Sequence, residues 1–360
     1  MTKSVVGFGE VMARISPPGQ NSFGDSREVL LTAGGSEANV LAKVGCLARG
    51  IETQLITRLK DDLVGRALRA DMQAWGVGLE HVIWTDQDRN GVYYLEQGLG
   101  PISASVSYDR AGSAIARAGA RDFDWSSLAG AQAFFVSGIT PALSDSCRQA
   151  TGEALQAAQN QNVWTFCDVN YRNKLWSPQD ACKTLSDYIN QGLISVLITT
   201  ETDAKKVFNI DCGVDDESDM ASLIEQSKNV LTEFSKKYPQ TCKVWILTVR
   251  KRITNESGQW TCVACLGDQE FFVGDVFDYI ILDRPGAGDA CSAGIIGGFL
   301  GAGPEGDLQD NHPLSERIKT GLDLGNRMAV VAQKTVGDFG PHWSAAEFFQ
   351  RVSENKEISR

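Results

Sequence analysis

The chain has 360 residues, room for one large domain or two ordinary ones, and its 34 Lys and Arg against 45 Asp and Glu give a net charge of −11. That balance repels polyanions and speaks against a broad nucleic-acid or anionic-membrane surface. At 42% hydrophobic and 22% charged residues the composition is that of a globular protein, and glycine, at 36 residues, is the outlier.

The first apolar run, Ser4 to Phe8, has the β-branched content of a strand. A Pro- and Gly-rich stretch over 16–21 and a short run from Val29 to Thr32 follow as an excursion. Ser36 is placed to cap a helix carrying Val40, Leu41, Val44, Leu47 and Ala48 at helical spacing, closed by Gly50. Then come a strand (Glu52 to Thr57), a helix (Gly65 to Trp75) and a strand (His81 to Trp84), the βαβ rhythm of a parallel sheet. Asn90-Gly91 reads as a turn leading into two short strands, 92–96 and 104–108, with no long helix between them.

Beyond Gly112 the alternation resumes. Strands are expected at 133–137, 163–169, 196–199 and 244–248, and helices at 144–159, 178–191 and 220–237. A hairpin over 259–274 precedes helices after Gly288 and from Ser315. The acidic run 215–219 reads as a solvated loop. No apolar run approaches the roughly 18 residues of a membrane span, and the N-terminus lacks a secretory signal, so a cytoplasmic place is expected. Nine scattered cysteines fit reduced thiols, and Cys262-Val263-Ala264-Cys265, with only three histidines in the chain, fits strand packing better than zinc.

Two segments carry chemistry. Asp283-Arg284-Pro285-Gly286-Ala287-Gly288-Asp289 follows the strand-like run 277–282 and opens an apolar helix. Its glycines let backbone N–H groups converge at a helix N-terminus, a cradle for an anion. Asp289 there is either a general base for a hydroxyl attacking a phosphate or a plain complement to the helix dipole; the segment alone leaves both readings open. In Gly34-Gly35-Ser36-Glu37-Ala38-Asn39, backbone N–H groups and the Asn39 amide suit sugar hydroxyls, though turn and cap chemistry alone accounts for the pattern as well.

Together, Gly34-Gly35-x-x-x-Asn39 and Asp283-x-x-Gly286-Ala287-Gly288-Asp289 resemble the two signatures of the ribokinase-like (PfkB) sugar kinases. Gly91-Val92-Tyr93, Tyr108-Asp109-Arg110-Ala111-Gly112, Ser137-Gly138-Ile139-Thr140-Pro141-Ala142-Leu143 and Asp168-Val169-Asn170-Tyr171-Arg172 resemble, within that family, the kinases of 2-keto-3-deoxygluconate. The resemblance spans nearly the whole chain. It implies one α/β domain over 1–360, a central mostly parallel sheet covered by helices on both faces, and a small β-sheet lid from about 14–35 and 88–111 through which homodimers or higher oligomers form.

By matched position, the resemblance implies that Gly35, Asn39, Tyr93, Tyr108, Arg110, Asn170, Arg172, Asp289 and Asp338 contact the sugar. Asp289 is then the catalytic base, with Gly286, Ala287 and Gly288 as the anion hole. Thr248, Gly286, Gly288 and Asn326 lie by ATP, and Asp203 by Mg2+, indirectly. The implied reaction is ATP-dependent phosphorylation of the terminal hydroxyl of 2-keto-3-deoxy-D-gluconate, giving the 6-phosphate and ADP. The partners are then small molecules, with neither nucleic acid nor membrane. Two arginines suit a carboxylate-bearing substrate, because the guanidinium fork binds carboxylate through parallel hydrogen bonds; a surface ion pair is the plain alternative for each. A kinase of fructose, ribose or another sugar acid, and a sugar- or nucleotide-binding protein without catalysis, are the alternatives.

The chain also departs from the family pattern. Thr200-Glu201-Thr202-Asp203 stands where relatives often carry Asn-x-x-Glu, and Val249-Arg250-Lys251-Arg252-Ile253-Thr254-Asn255 stands in place of a Gly-rich nucleotide loop. Arg284 replaces a more usual Thr or Pro.

Overall fold

Along the first third of the chain, strands are dealt alternately to two sheets. The structure, a computed structural model, describes residues 2–47, 50–98, 102–211, 213, 218–239, 241–267, 269–283, 285–302, 312–341, 343 and 345–352. Arg284, Cys212, His342 and most of the acidic run 215–219 lie outside the described residues. β1 (Lys3–Phe8) enters the main sheet; β2 (Met12–Ser16) and β3 (Leu30–Gly34) leave it; α1 (Ser36–Leu47) and β4 (Ile51–Lys60) return. α2 (Leu63–Ala74), β5 (Val77–Gly78) and β6 (Val82–Thr85) stay with the main sheet, and β7 (Gly91–Glu96) and β8 (Ser105–Asp109) leave again. Next come β9 (Ala133–Ser137), α3 (Asp145–Asn160), β10 (Trp164–Asp168), α4 (Pro178–Asn190), β11 (Val196–Thr200), α5 (Glu201–Phe208) and α6 (Met220–Lys237). The C-terminal part holds β12 (Val244–Arg252), β13 (Ser257–Leu266), β14 (Glu270–Val273), β15 (Phe277–Ile280), α7 (Ala287–Phe299), α8 (Leu314–Gln333) and α9 (Ala345–Val352).

The main sheet runs β14-β13-β12-β11-β10-β9-β1-β4-β5, with β15 on β13 and β6 on β4; the strands from β12 to β5 are parallel and β13 is antiparallel to β12. The second sheet is β3-β2-β7-β8. This is the expected architecture of a mostly parallel sheet with a small separate sheet. Period-2 alternation sorts each central strand between two cores. Val5 of β1 packs with α1, α7 and α8, whereas Val6 and Phe8 pack with α3, α4 and α6. On β13, Cys262 and Cys265 are both buried, one in each core, and the described cysteines are free thiols.

Four of the glycines, Gly294, Gly298, Gly321 and Gly325, sit where two helices touch. On α7, a Cβ at Gly294 would lie 2.5 Å from the Gly325 nitrogen of α8, and one at Gly298 would lie 2.3 Å from the Gly321 nitrogen. Only glycine lets these backbones approach so closely, and the contact fixes the height at which α7 presents its N-terminus.

Two local expectations are corrected, and two elements are added. Asn90-Gly91 is no turn: Gly91 begins β7, and the Asn90 amide pairs with both backbone groups of Lys60, acting as a surrogate for a sheet neighbour. Ser36 does not cap α1; its hydroxyl donates to Asp289. β2 and the short α5 were not expected, the first because its five residues carry Arg14 and end at a Pro-rich stretch, the second because it follows β11 with no intervening loop. Among the described residues, no helix is long and apolar enough to cross a membrane.

Candidate active site

Two helix N-termini, those of α1 and α7, meet beside the C-terminal ends of the parallel strands, where open α/β sheets form their crevice. Gly35 (φ +155°) makes the entry to α1, and a Cβ there would sit 2.1 Å from the Glu10 carbonyl oxygen. Gly286, left-handed at φ +85°, caps α7. These turns aim the first residues of both helices at one point. Asn39 Nδ2 donates to Asp289 Oδ2 at 2.6 Å, and Ser36 Oγ donates to Oδ1 at 2.8 Å. Asn170, itself left-handed, donates through Nδ2 to Ser36 Oγ at 3.1 Å, completing a relay of donors that ends on Asp289. Burial raises the Asp289 carboxyl above its ordinary value, opposed by the Asn39 hydrogen bond, the Lys43 charge and the Ser36 hydrogen bond. The group is an acid held poised as an acceptor, which is what a proton-abstracting carboxylate needs.

Beside Asp289 lies a pocket of about 260 Å³. It is lined by Gly35, Asn39, Tyr93, Tyr108, Arg110, Asn170, Arg172, Gly286, Asp289 and Asp338, so all nine expected sugar contacts, contributed from six separate stretches of chain, converge on one cavity. Asn39 Oδ1 is buried there and has no hydrogen-bond partner among the described residues, an acceptor of the kind a hydroxyl suits. Asp338 accepts from Tyr93 OH at 2.6 Å and from Arg14 Nη1 at 2.6 Å.

The two arginines differ. Arg110 is buried and already neutralised: its Nε donates to Glu10 Oε2 at 2.7 Å, and Ser113 holds the other Glu10 oxygen at 2.6 Å. Arg172 is exposed, its Nη1 meets only the carbonyls of Asn170 and Tyr171, and among the described residues it forms no ion pair.

Sequence reasoning missed Glu10, Arg14, Glu37 and Lys43. Lys43 was detectable as a charged residue on the α1 face that also carries Asn39, by its i, i+4 spacing, whereas Glu37, two residues from Asn39, points off that face. Glu37 Oε1 accepts from the Ser137 N–H and Oγ, both at 2.8 Å, and from Thr140 Oγ1 at 2.9 Å, tying α1 to the end of β9. Burial raises its carboxyl from 4.5 to about 7. The folded chain therefore holds a proton that the unfolded chain has released across that window, and stability falls as pH rises from 4.5 to 7. Glu37→Gln is expected to remove a falling component of about 3 kcal/mol from the stability–pH profile. Urea unfolding at each end of the window measures it, and an unchanged slope contradicts the assignment.

A second groove, about 810 Å³, opens along the ends of β10, β11 and β12 and shares Asn170 and Arg172 with the pocket. Thr248, Asp203 and Gly288 line it, and a Cβ at Gly288 would meet no atom within 4 Å, so its backbone faces open space. The segment that replaces a Gly-rich loop is a hairpin between β12 and β13, and Thr248, Arg250 and Arg252 share its groove side by strand alternation. Asn326 is placed elsewhere: it is fully buried and donates to the Asp275 carbonyl. Ala287, also buried, lies behind the glycines. Asp168 faces Asp203 across the groove; burial, then the Asp289 and Asp203 charges, push Asp168 up to about 8, and burial raises Asp203. Two carboxylates suit a hydrated divalent cation whose remaining ligands are water and phosphate, and among the described residues no cluster of three or more ligating side chains forms a closed metal cage.

Residues 2–238 match the family model described as pfkB family carbohydrate kinase. The chain belongs to the pfkB family. Its N-terminal signature and small sheet fall within the matched span, and the GAGD segment lies beyond it. Among curated pfkB relatives, the chain is 37% identical to a 2-dehydro-3-deoxygalactonokinase of Haloferax volcanii over 59% of this chain and 65% of that protein. It is 33% identical to a 2-dehydro-3-deoxygluconokinase of Thermoproteus tenax over 49% of this chain and 53% of that one. The matched regions thus span less than two thirds of either relative. A crystal structure of a 2-dehydro-3-deoxygluconokinase from Thermotoga maritima superposes with TM-score 0.85 at 29% identity, covering 98% of this chain and 99% of that one.

Proposed function

We propose that this pfkB protein is a cytoplasmic kinase of 2-keto-3-deoxy sugar acids, transferring the γ-phosphoryl group of ATP to the terminal hydroxyl of 2-keto-3-deoxy-D-gluconate to give the 6-phosphate and ADP. The observation that carries it is Arg172, an exposed cation that forms no ion pair among the described residues and whose charge acts at longer range on Asp168 and Asp203, at the mouth of the pocket that also holds Asp289. The names of the relatives support the same substrate class.

In this reading the sugar carboxylate pairs with Arg172, and its hydroxyls meet Asn39 Oδ1, Asp338 and the tyrosines. Asp289 removes the proton of the terminal hydroxyl as that oxygen forms its bond to the γ-phosphorus and the bond to the β-phosphate oxygen breaks. The first N–H groups of α7, which have no helical partner, take the charge on the transferring group. ATP lies in the groove, with its γ-phosphate toward Gly288. Asp168 and Asp203 would hold a magnesium ion through water, which supplies neutralisation of phosphate charge when bound. The small sheet acts as the lid, its Tyr93, Tyr108 and Arg110 covering the sugar against water. Its exposed Leu30, Leu31 and Tyr94 fit pairing with a second copy.

A phosphorylation assay across gluco- and galacto-configured 2-keto-3-deoxy acids, fructose and ribose tests the reading. Turnover of neutral sugars alone overturns the acid assignment, and tight sugar binding without ATP-dependent product leaves a non-catalytic binding protein. The name of the Haloferax relative favours the galacto acid as the second reading. Arg172→Met is expected to raise KM for the acid by about 10- to 100-fold, the loss of a charge-assisted hydrogen bond, with neutral sugars little affected. Equal losses on both refute the role of Arg172.

A further inference from the structure

One side chain of the small sheet grips two distant segments of the main domain. Arg14, on β2 and 1% exposed, donates through Nη1 to Asp338 Oδ1 at 2.6 Å and through Nη2 to Asp283 Oδ2 at 2.7 Å. Asp338 stands on the loop 336–340 and lines the sugar pocket. Asp283 begins the turn whose glycines open α7. The guanidinium therefore spans the sugar side and the phosphate side of the site.

Its surroundings converge on the same two segments. Tyr93, opposite Arg14 in the β2–β7 register, holds the second oxygen of Asp338. Asp283 Oδ2 also accepts from the Gly337 N–H at 3.0 Å and from Gln97 Nε2 at 3.2 Å, so the loop is bonded directly to the turn. A Cβ at Gly286 would lie 2.9 Å from the Asp338 carbonyl oxygen, to which Lys43 Nζ donates from the other side. Burial works against the charge on Arg14, but the Asp338 and Asp283 charges outweigh it and hold the guanidinium above its ordinary value, so it stays charged at every working pH.

We propose that Arg14 is the positioning residue that sets the sugar-contacting loop and the phosphate-binding turn in register, so that the hydroxyl next to Asp289 and the anion hole come into line only when the small sheet is seated. The proposal rests on the kinase reading above. Its chemistry is the planar fork: two ends of one rigid group satisfy two carboxylates at a fixed separation, which a lysine ammonium, a single compact charge on a flexible stem, does not reproduce. A misplacement of about 1 Å is enough to cost a reaction of this kind on the order of 100-fold.

Arg14→Lys tests it, because it keeps the charge and removes the fork. Expected are a kcat about 30-fold lower, a sugar KM changed by no more than about threefold, and amide hydrogen exchange about tenfold faster in 285–290 and 336–340 with the rest of the chain unchanged. A kcat within about threefold of the parent, or exchange that quickens throughout the chain in step with lost stability, overturns the proposal. Should Arg14→Lys fail to fold, Arg14→Met combined with Asp283→Asn removes the grip without leaving an excess buried charge, and the same local exchange is required of it. If the parent chain phosphorylates no sugar, the kinase reading fails separately, and the exchange pattern still decides the role of Arg14.

Discussion

Asp289→Asn is expected to lower kcat by about 1,000-fold or more while leaving the fold and the sugar affinity close to those of the parent. An asparagine keeps the shape and can still accept from Asn39 and donate toward Ser36, so the relay that positions residue 289 survives. What it loses is the ability to accept a proton. The raised carboxyl of Asp289 carries a second consequence: the acid limb of kcat/KM lies above the ordinary aspartate value, activity falling as pH drops through it, and the asparagine variant loses that limb. Thermal unfolding, sugar binding and initial rates measured on the same preparation separate these effects. A variant retaining more than about a tenth of parental kcat would exclude Asp289 as the base.

The second large effect is on stability. Gly298→Ala puts a Cβ 2.3 Å from the Gly321 nitrogen and 2.4 Å from its Cα, both backbone atoms of α8 that cannot swing aside. The helices must part, and the expected cost is about 3 kcal/mol or more. Gly152→Ala on α3 is the control, since the added carbon finds only the edge of the Tyr188 ring at 3.4 Å, and the change is expected to be neutral or slightly stabilising. Denaturant midpoints of the two variants make the comparison, and similar midpoints would contradict a glycine contact between α7 and α8.

How much of this was legible follows from where each signal resides. Signals confined to a few consecutive residues were readable: the paired glycines before Asn39, the GAGD turn, and the β-branched run that becomes β1. Tyr93, Tyr108, Arg172 and Asp338 were reached only through resemblance, and the structure brings them into the same pocket. Contacts between residues far apart were closed to local reading. Arg14 finds its partners 269 and 324 residues away, and nothing near it in the sequence announces a buried charge. Ser36 shows the opposite failure, a correct residue with the wrong partner, because a cap and a ligand of Asp289 ask for the same hydroxyl. Asn326 was drawn toward the nucleotide by position alone, yet it is fully buried and its Nδ2 donates to the Asp275 carbonyl.

The grip of Arg14 also limits how this protein can be recombined. Exchanging the small sheet for that of a relative looks like a clean graft, since it enters and leaves the main sheet through short connections. Incoming strands that lack the Arg14 guanidinium would nevertheless leave Asp283 and Asp338 without the group that matches them. A working chimera must therefore inherit four stretches together, the two β excursions, the turn at 283–288 and the loop at 336–340, although Arg14 lies 269 and 324 residues from its partners.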